Sequence, residues 1–333
     1  MAEELNPKPH SSIDVESGFC TKTKIYHSLL PDVPLPPESM PLSVTDYAFA
    51  LLKGLPSSQS STALIDADTG DRVSFSELIR RSRNLAAYLQ NEIGLINGET
   101  AFILSPNSVH IVILYLSLFS LGVVISPSNP SNTKSEIAHH INLCKPVVAF
   151  ATTKTTSFKI PPLRHSNILL DSSDFQTMMT ETVSELKPAD VSQSDIASIL
   201  YSSGTTGKMK GVIRTHRNWI ASIAIARSVP SQAAAETAAC VVPLFHGYGF
   251  EFCMTSMAFG RTLVLMERFE LELKARAIER FRSTQLLLAP PVVVSMVKNG
   301  VMDGHDLRSL KTVACGGAVL PKSAIKKFRA NEY

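Results

Sequence analysis

The 333-residue sequence lacks any cysteine pairing pattern. Its five cysteines, Cys20, Cys144, Cys240, Cys253 and Cys315, are odd in number, widely spaced and never in a C-x-x-C pair. This excludes a disulfide framework and a cysteine zinc site, and it fits a reducing compartment. Charge is also scarce. Asp, Glu, Lys and Arg make up 18% of the chain, against about 25% in an average protein. The formal net charge is only +3, so nothing points to a nucleic-acid binder or a polybasic membrane-surface protein. The opening MAEELNPKPH has no apolar stretch of the kind a secretory signal needs. The closing Asn331-Glu332-Tyr333 is not a peroxisomal address of the Ser-Lys-Leu kind, so cytoplasm and peroxisome both stay open. No repeat of fixed period is present. The longest apolar run, Val109 to Ile125, approaches the ~20 residues of a membrane span. However, it holds His110, Ser117, Ser120 and Gly122 and turns β-branched at its end, which predicts a buried helix running into a buried strand without stable membrane insertion.

What is present is apolar content of 44%, enough for a large core, in a length that suggests about two domains. Residues 1–41 carry seven of the 20 prolines and read as an extended arm. From Ser43 onward, helices and strands alternate. Ser74-Phe75-Ser76-Glu77 and Thr133-Lys134-Ser135-Glu136 have the spacing of capping boxes, and Gly94 and Pro146 follow as stops. Strands are predicted at Ala101–Leu104, Val123–Ile125, Val147–Phe150, Ile199–Tyr201, Thr262–Met266, Gln285–Ala289 and Thr312–Ala314. Helices are predicted near residues 217–228, 271–282 and 291–299, while 152–190 reads as a Ser/Thr-rich connection. This pattern predicts an α/β fold of mostly parallel sheets covered by helices. The expected division is an arm at 1–41, a first α/β subdomain at 42–190 and a second at 191–333.

The stretch Tyr201-Ser-Ser-Gly-Thr-Thr-Gly-Lys-Met-Lys-Gly211 is the most informative. Three glycines let backbone N–H groups turn inward, and four hydroxyls and two lysines surround them. This suits a polyphosphate, and it suits charge moving onto a leaving pyrophosphate. The same composition also makes an ordinary Ser/Gly turn. The Walker pattern Gly-x-x-x-x-Gly-Lys-Ser/Thr is missing, which disfavours a phosphate-loop kinase.

The segment from Asp195 through SSGTTGKMKG resembles the signature of the adenylate-forming, or AMP-binding, superfamily. Three further segments resemble that superfamily in the same order: Gly122 to Pro130, Pro243-Leu-Phe-His-Gly-Tyr-Gly249, and Val313-Ala-Cys-Gly-Gly-Ala-Val-Leu320. The Pro-rich opening and the spacing are most similar to plant 4-coumarate–CoA ligases and their ligase-like relatives. The resemblance implies a ligase using ATP, magnesium and coenzyme A. A carboxylate oxygen attacks the α-phosphorus, pyrophosphate leaves, and the coenzyme A thiol then displaces AMP to give a thioester. Positioning and charge stabilisation carry most of such a reaction. The implied substrates are small carboxylic acids such as hydroxycinnamates, fatty acids or oxylipin acids, with no nucleic acid involved.

By the same resemblance, Ser202, Ser203, Gly204, Thr205, Thr206 and Lys210 match the ATP phosphate loop, with Lys210 also catalytic. Met209 stands where the superfamily usually has proline. His246 and Tyr248 match the segment bordering the activated carboxylate. Taken alone, His246 reads as a buried core histidine and Tyr248 as core packing. Gly316 and Gly317 match positions passing close to the acyl-adenylate, and Val319 replaces a proline. Arg268 falls where these ligases place a basic residue toward coenzyme A, though a solvated surface charge is the other reading. His139-His140 are adjacent on a predicted helix, point apart and make a poor metal pair, and no protein metal site is expected. The superfamily pattern continues past residue 333 with a Tyr-Gly-x-Thr-Glu segment, an Asp for the ribose, an Arg, and a small lid domain bearing a Lys. The 333 residues contain none of these. The expectation is therefore an incomplete large N-terminal domain, either a shortened ligase or a non-catalytic nucleotide-binding or interaction form.

Overall fold

The computed structural model describes residues 12–29, 32–55, 61–156, 160–182, 185–202, 209–229, 236–267, 271–299 and 304–330. The chain separates into two compact units, residues 1–35 and 36–333. Where the sequence predicts only an extended arm, the first unit holds a small antiparallel hairpin, β1 (Phe19–Cys20) with β2 (Ile25–Tyr26). Gly18, at φ 72°, lies so close to the His27 backbone that a side chain has no room.

The second unit begins with α1 (Val44–Lys53), β3 (Thr62–Asp66), β4 (Arg72–Ser74) and α2 (Phe75–Tyr88). Next come β5 (Thr100–Leu104), α3 (Val109–Ser120), β6 (Val124–Pro127), α4 (Lys134–Cys144) and β7 (Val148–Ala151). The Ser/Thr-rich connection is structured, with α5 (Thr153–Thr156), β8 (Ile168–Leu169) and α6 (Ser173–Thr180). Then follow β9 (Ile196–Ser202), β10 (Lys210–Thr215), α7 (His216–Ser228), β11 (Thr237–Cys240) and α8 (Gly247–Ala258). The last elements are β12 (Thr262–Leu265), α9 (Leu271–Phe281), β13 (Gln285–Leu288), α10 (Pro290–Asn299), β14 (Thr312–Cys315) and α11 (Lys322–Ala330).

Among the described residues these strands build two six-stranded sheets, ordered β10-β9-β6-β5-β7-β8 and β14-β13-β11-β12-β3-β4. Each has five parallel strands and one antiparallel edge strand, β10 or β4. This is the mostly parallel α/β architecture that the alternation predicts. The sheets exchange strands across residue 190: β3 and β4 join the second sheet, and β9 and β10 join the first. A linear division at that residue does not follow the sheets, because parallel pairing depends on crossovers rather than sequence order.

One core lies between the sheets. Side chains of α1, α2, α3, α7 and α8 pack there against residues from both sheets. Period two along β5 makes this possible: Ala101 and Ile103 face the central layer, while Phe102 and Leu104 face the outer layer with α4. A separate outer core joins α9 and α10 to the other sheet through Ile278, Val293 and Met296. The long apolar run divides as predicted. Ile111 to Phe119 of α3 is fully buried, and the chain then turns at Gly122 (φ 71°) into β6. Each such buried Leu or Ile contributes about 1.5–3 kcal/mol. Among the described residues no helix is long and apolar enough to cross a membrane.

The capping expectations divide. Thr133 and Glu136 form the complete reciprocal box of α4. Ser74 caps α2 by accepting from the Glu77 N–H at 3.2 Å, but the Glu77 carboxylate pairs with Arg81 instead of reaching back. The i,i+4 guanidinium competes successfully with one neutral amide. The last turn of α2 opens into a π-helical turn, Leu89–Ile93, that ends at left-handed Gly94 (φ 80°), the predicted stop.

Candidate functional site

The strands β9 and β10 form a hairpin whose register pairs Ser202 with Lys210 and Tyr201 with Gly211. Both ends of the glycine- and hydroxyl-rich loop are thus held one strand spacing apart at the edge of the first sheet. Ser202 and Lys210 are exposed. Ser203, Gly204, Thr205 and Thr206 lie outside the described residues, as does Arg268. Gly211 has a reason to be glycine, since a Cβ there would sit 2.9 Å from Ile199 Cγ2.

The hairpin is braced from the helix side. The Arg214 guanidinium lies 3.8 Å from the centroid of the Trp219 ring, donates to Ser222 Oγ at 2.8 Å and pairs with Glu251 at 3.2 Å. Trp219 is fully buried and donates its indole N–H to Ser198 Oγ at 3.0 Å. These contacts tie β10 to α7 and α8.

His246 is not a buried core histidine. It is exposed at the N-cap of α8, where its Nδ1 accepts the Tyr248 N–H at 3.3 Å. A side-chain cap satisfies one of the open donors of the first turn. His246 is thereby oriented by its own helix and is left facing outward. The neighbouring Gly247 packs beside Leu200 of β9, with its Cβ position 3.5 Å from Leu200 Cδ1. The His246 segment therefore abuts the β9–β10 hairpin two residues before Ser202. Half-buried Tyr248 points the other way, toward Gly316. A Cβ on Gly316 would lie 3.0–3.2 Å from the ring and hydroxyl of Tyr248. Burial, then the thiols of Cys315 and Cys240, push the Tyr248 phenol up to about 12, so it stays a neutral hydroxyl. Gly317 has φ 90°, a region that favours glycine, and its missing side chain faces open space. Ser202 thus pairs with Lys210, Gly247 lies beside Leu200, and Tyr248 faces Gly316.

Two residues that sequence reasoning passed over hold this arrangement. Buried Asn107 follows β5 of the first sheet. It donates from Nδ2 to the Val242 carbonyl at 3.0 Å and accepts the Leu244 N–H on Oδ1 at 2.8 Å. Tyr115 of α3 donates to the Leu244 carbonyl at 3.3 Å. Gly249 lies directly under the Pro243 carbonyl, where a Cβ does not fit. The segment before His246 is thus fixed on three sides, at the carboxyl ends of parallel strands where α/β sheets place their ligands. In sequence, Asn107 reads only as a turn residue after a strand, and Tyr115 only as one apolar position among many.

Among the described residues no three His, Cys, Asp or Glu side chains gather to hold a metal ion. His139 and His140 do point apart, as predicted, and serve different partners.

The family model for the AMP-binding enzyme matches residues 56–331. The chain is 41% identical to 4-coumarate–CoA ligase-like 9 of Arabidopsis thaliana over 95% of its own length and 59% of that protein. It is 35% identical to peroxisomal OPC-8:0-CoA ligase 1 of the same plant, over 97% of its length and 60% of the relative. The chain thus spans about three-fifths of these relatives. Among solved structures it is similar to a long-chain-fatty-acid-CoA ligase from Archaeoglobus fulgidus, with a TM-score of 0.81 at 21% identity, covering 91% of this chain and 62% of the other. The N-terminal domain of FACL13 from Mycobacterium tuberculosis gives 0.78 at 20% identity, covering 87% and 73%. The fold is thus that of the N-terminal domain of adenylate-forming enzymes, and the chain belongs to the AMP-binding enzyme family.

Proposed function

We propose that this chain carries the ATP site and part of the carboxylate site of an ATP-dependent carboxylic acid–CoA ligase. The observation that carries this reading is the β9–β10 hairpin, which pairs Ser202 with Lys210 around the phosphate loop while the His246 segment abuts it at Leu200. In this reading the loop from Ser202 through Ser203, Gly204, Thr205 and Thr206 wraps the phosphates, and Lys210 places a cation beside them. That cation stabilises charge passing to pyrophosphate as the carboxylate oxygen bonds to the α-phosphorus. His246 at the α8 N-terminus borders the incoming carboxylate, where the helix end favours an anion. Tyr248 and Gly316 form a wall and a gap for the acyl part. Arg268 is assigned to the phosphates of coenzyme A, whose thiol displaces AMP. Magnesium would arrive on the triphosphate, since such ions are held mainly by phosphates and one or two carboxylates.

OPC-8:0, named for one relative, and the 4-coumarate–CoA ligase-like names of the others suggest the substrate class: an aromatic, fatty or oxylipin carboxylic acid. The compartment in this reading is the cytoplasm or the peroxisome. The test is acid-dependent exchange of labelled pyrophosphate into ATP by the 333-residue chain, over a panel of these acids. Exchange that falls about 10²-fold in Lys210→Ala supports the assignment. ATP binding without exchange in both this chain and a form extended to the relatives' length would leave only the non-catalytic form. No binding of ATP by either sinks the reading.

A further inference from the structure

His139 and His140 are neighbours on α4 and diverge by about 100° around the helix. The divergence that makes them a poor metal pair brings one ring to β9 and the other to the residue just before β10. Buried His140 lies flat on Tyr201, with ring centroids 3.6 Å apart and planes within 4°. Its Nδ1 is 2.9 Å from Ser128 Oγ. The Tyr201 hydroxyl donates to the His140 carbonyl at 3.2 Å and lies 2.6 Å from Ser126 Oγ. Exposed His139 donates from Nε2 to the Met209 carbonyl at 3.1 Å. Tyr201 immediately precedes Ser202, and Met209 immediately precedes Lys210. One dipeptide therefore touches both ends of the loop that the ATP reading places around the phosphates. The capping box of Thr133 and Glu136 anchors the start of the same helix, so the pair stands on a fixed platform.

We propose that His139 and His140 are positioning residues for the triphosphate: together they fix the two ends of the phosphate loop and so set the affinity for ATP. This rests on the ATP reading above. Fixing both flanks in advance lowers the ordering cost that binding has to meet.

The experiment measures magnesium-ATP binding by calorimetry for the whole chain and for His139→Ala, His139→Gln and His165→Ala. Melting curves and hydrogen exchange of peptides spanning 196–215 are recorded alongside. His139→Ala should weaken ATP about three- to tenfold, the size of one lost hydrogen bond at a partly exposed site. His139→Gln should recover most of that, because its amide N–H reaches the Met209 carbonyl. His165→Ala, a half-buried histidine that follows Arg164 beside β7, should bind as the parent does. Where exchange activity is present, KM for ATP should rise while KM for the carboxylic acid holds, which a general loss of stability would not produce. Equal ATP affinity in the parent and His139→Ala overturns the proposal. If the parent binds no ATP, the ATP reading fails separately, and hydrogen exchange then decides. Faster exchange in the 196–215 peptides of His139→Ala at an unchanged melting point supports the clamp, and equal exchange overturns it.

Discussion

The two halves of the candidate site are held in opposite ways. The segment leading to His246 is locked from inside: Asn107 and Tyr115 take up its backbone groups, and Gly249 closes beneath it. The β9–β10 hairpin lies on the sheet margin, with Val212 47% and Ile213 56% exposed on its outer strand. It is held from the side, by Arg214 against α7 and α8 and by the histidine pair of α4. In the proposed ligase reading, the locked segment is the carboxylate side, a fixed wall, and the braced hairpin is the phosphate side, an arm. A reaction that depends on positioning needs the wall to be exact in place, while the arm has to admit and release a large anion. Breaking the wall should therefore damage the fold, and breaking the arm should damage ATP handling.

The largest expected effect tests the arm's base. His216 follows β10, is fully buried, and accepts the Val44 N–H on Nδ1 at 3.1 Å. Burial pushes it down to about 4 from the usual 6.5, and burial likewise pushes His140 down to about 4. Both bind a proton less readily when folded. Their stabilising contribution is complete above pH 6.5 and is lost as pH falls from there toward 4, because the unfolded chain takes up the protons. For His216 alone the loss is on the order of 3 kcal/mol. Melting temperatures recorded from pH 7.5 to 4 should fall steeply below pH 6.5. The slope should flatten in His216→Asn, whose amide oxygen can still accept from Val44. An unchanged slope in that variant would remove His216 from the account.

The wall is next. Asn107→Ala strands the Leu244 N–H and the Val242 carbonyl inside the protein, at about 1–3 kcal/mol for a buried unsatisfied group. The melt should fall by several degrees, and with it any acid-dependent exchange. If the melting point holds and only KM for ATP rises, the division between wall and arm is wrong.

Much of this was legible in the sequence. Periodicity located β5, β7, β9, β12, β13 and β14 and the helices α7, α9 and α10, because buried parallel strands and their crossovers are written as local apolar runs. The resemblance picked out Ser202 and Lys210, which pair in the β9–β10 hairpin, His246, which caps α8, and Tyr248 and Gly316, which lie beside each other. What was hidden was long-range. Strand exchange across residue 190 depends on which apolar runs pair, and no local pattern carries that. Asn107 and Leu244 meet across 137 positions, and no spacing rule reaches so far. The short hairpin of β1 and β2 was missed for the opposite reason: two residues per strand are too few to show a period of two. His246 was ambiguous because its exposure follows from capping α8, and that helix begins with Gly-Tyr-Gly, a poor helical signal.

The smallest effect sharpens the boundary between wall and pocket. A methyl group on Gly316 meets the Tyr248 ring at 3.0–3.2 Å, tighter than an ordinary contact. Gly316 is not in the left-handed region, so the backbone tolerates the change, and the cost falls on a half-buried ring that can move a few tenths of an ångström. Gly316→Ala should therefore destabilise by no more than about 1 kcal/mol, at the low end of overpacking. The consequence for binding is sharper. If the gap between Tyr248 and Gly316 admits the acyl group, the methyl should raise KM for bulky aromatic acids more than for slender aliphatic ones, by about 10-fold at most, the scale of one methylene in a pocket. KM for ATP should stay put, since the hairpin is untouched. An equal rise for every acid would mean that the methyl acts through a shift of the whole His246 segment, and Tyr248 would then belong to the wall rather than to the lining of the acyl site.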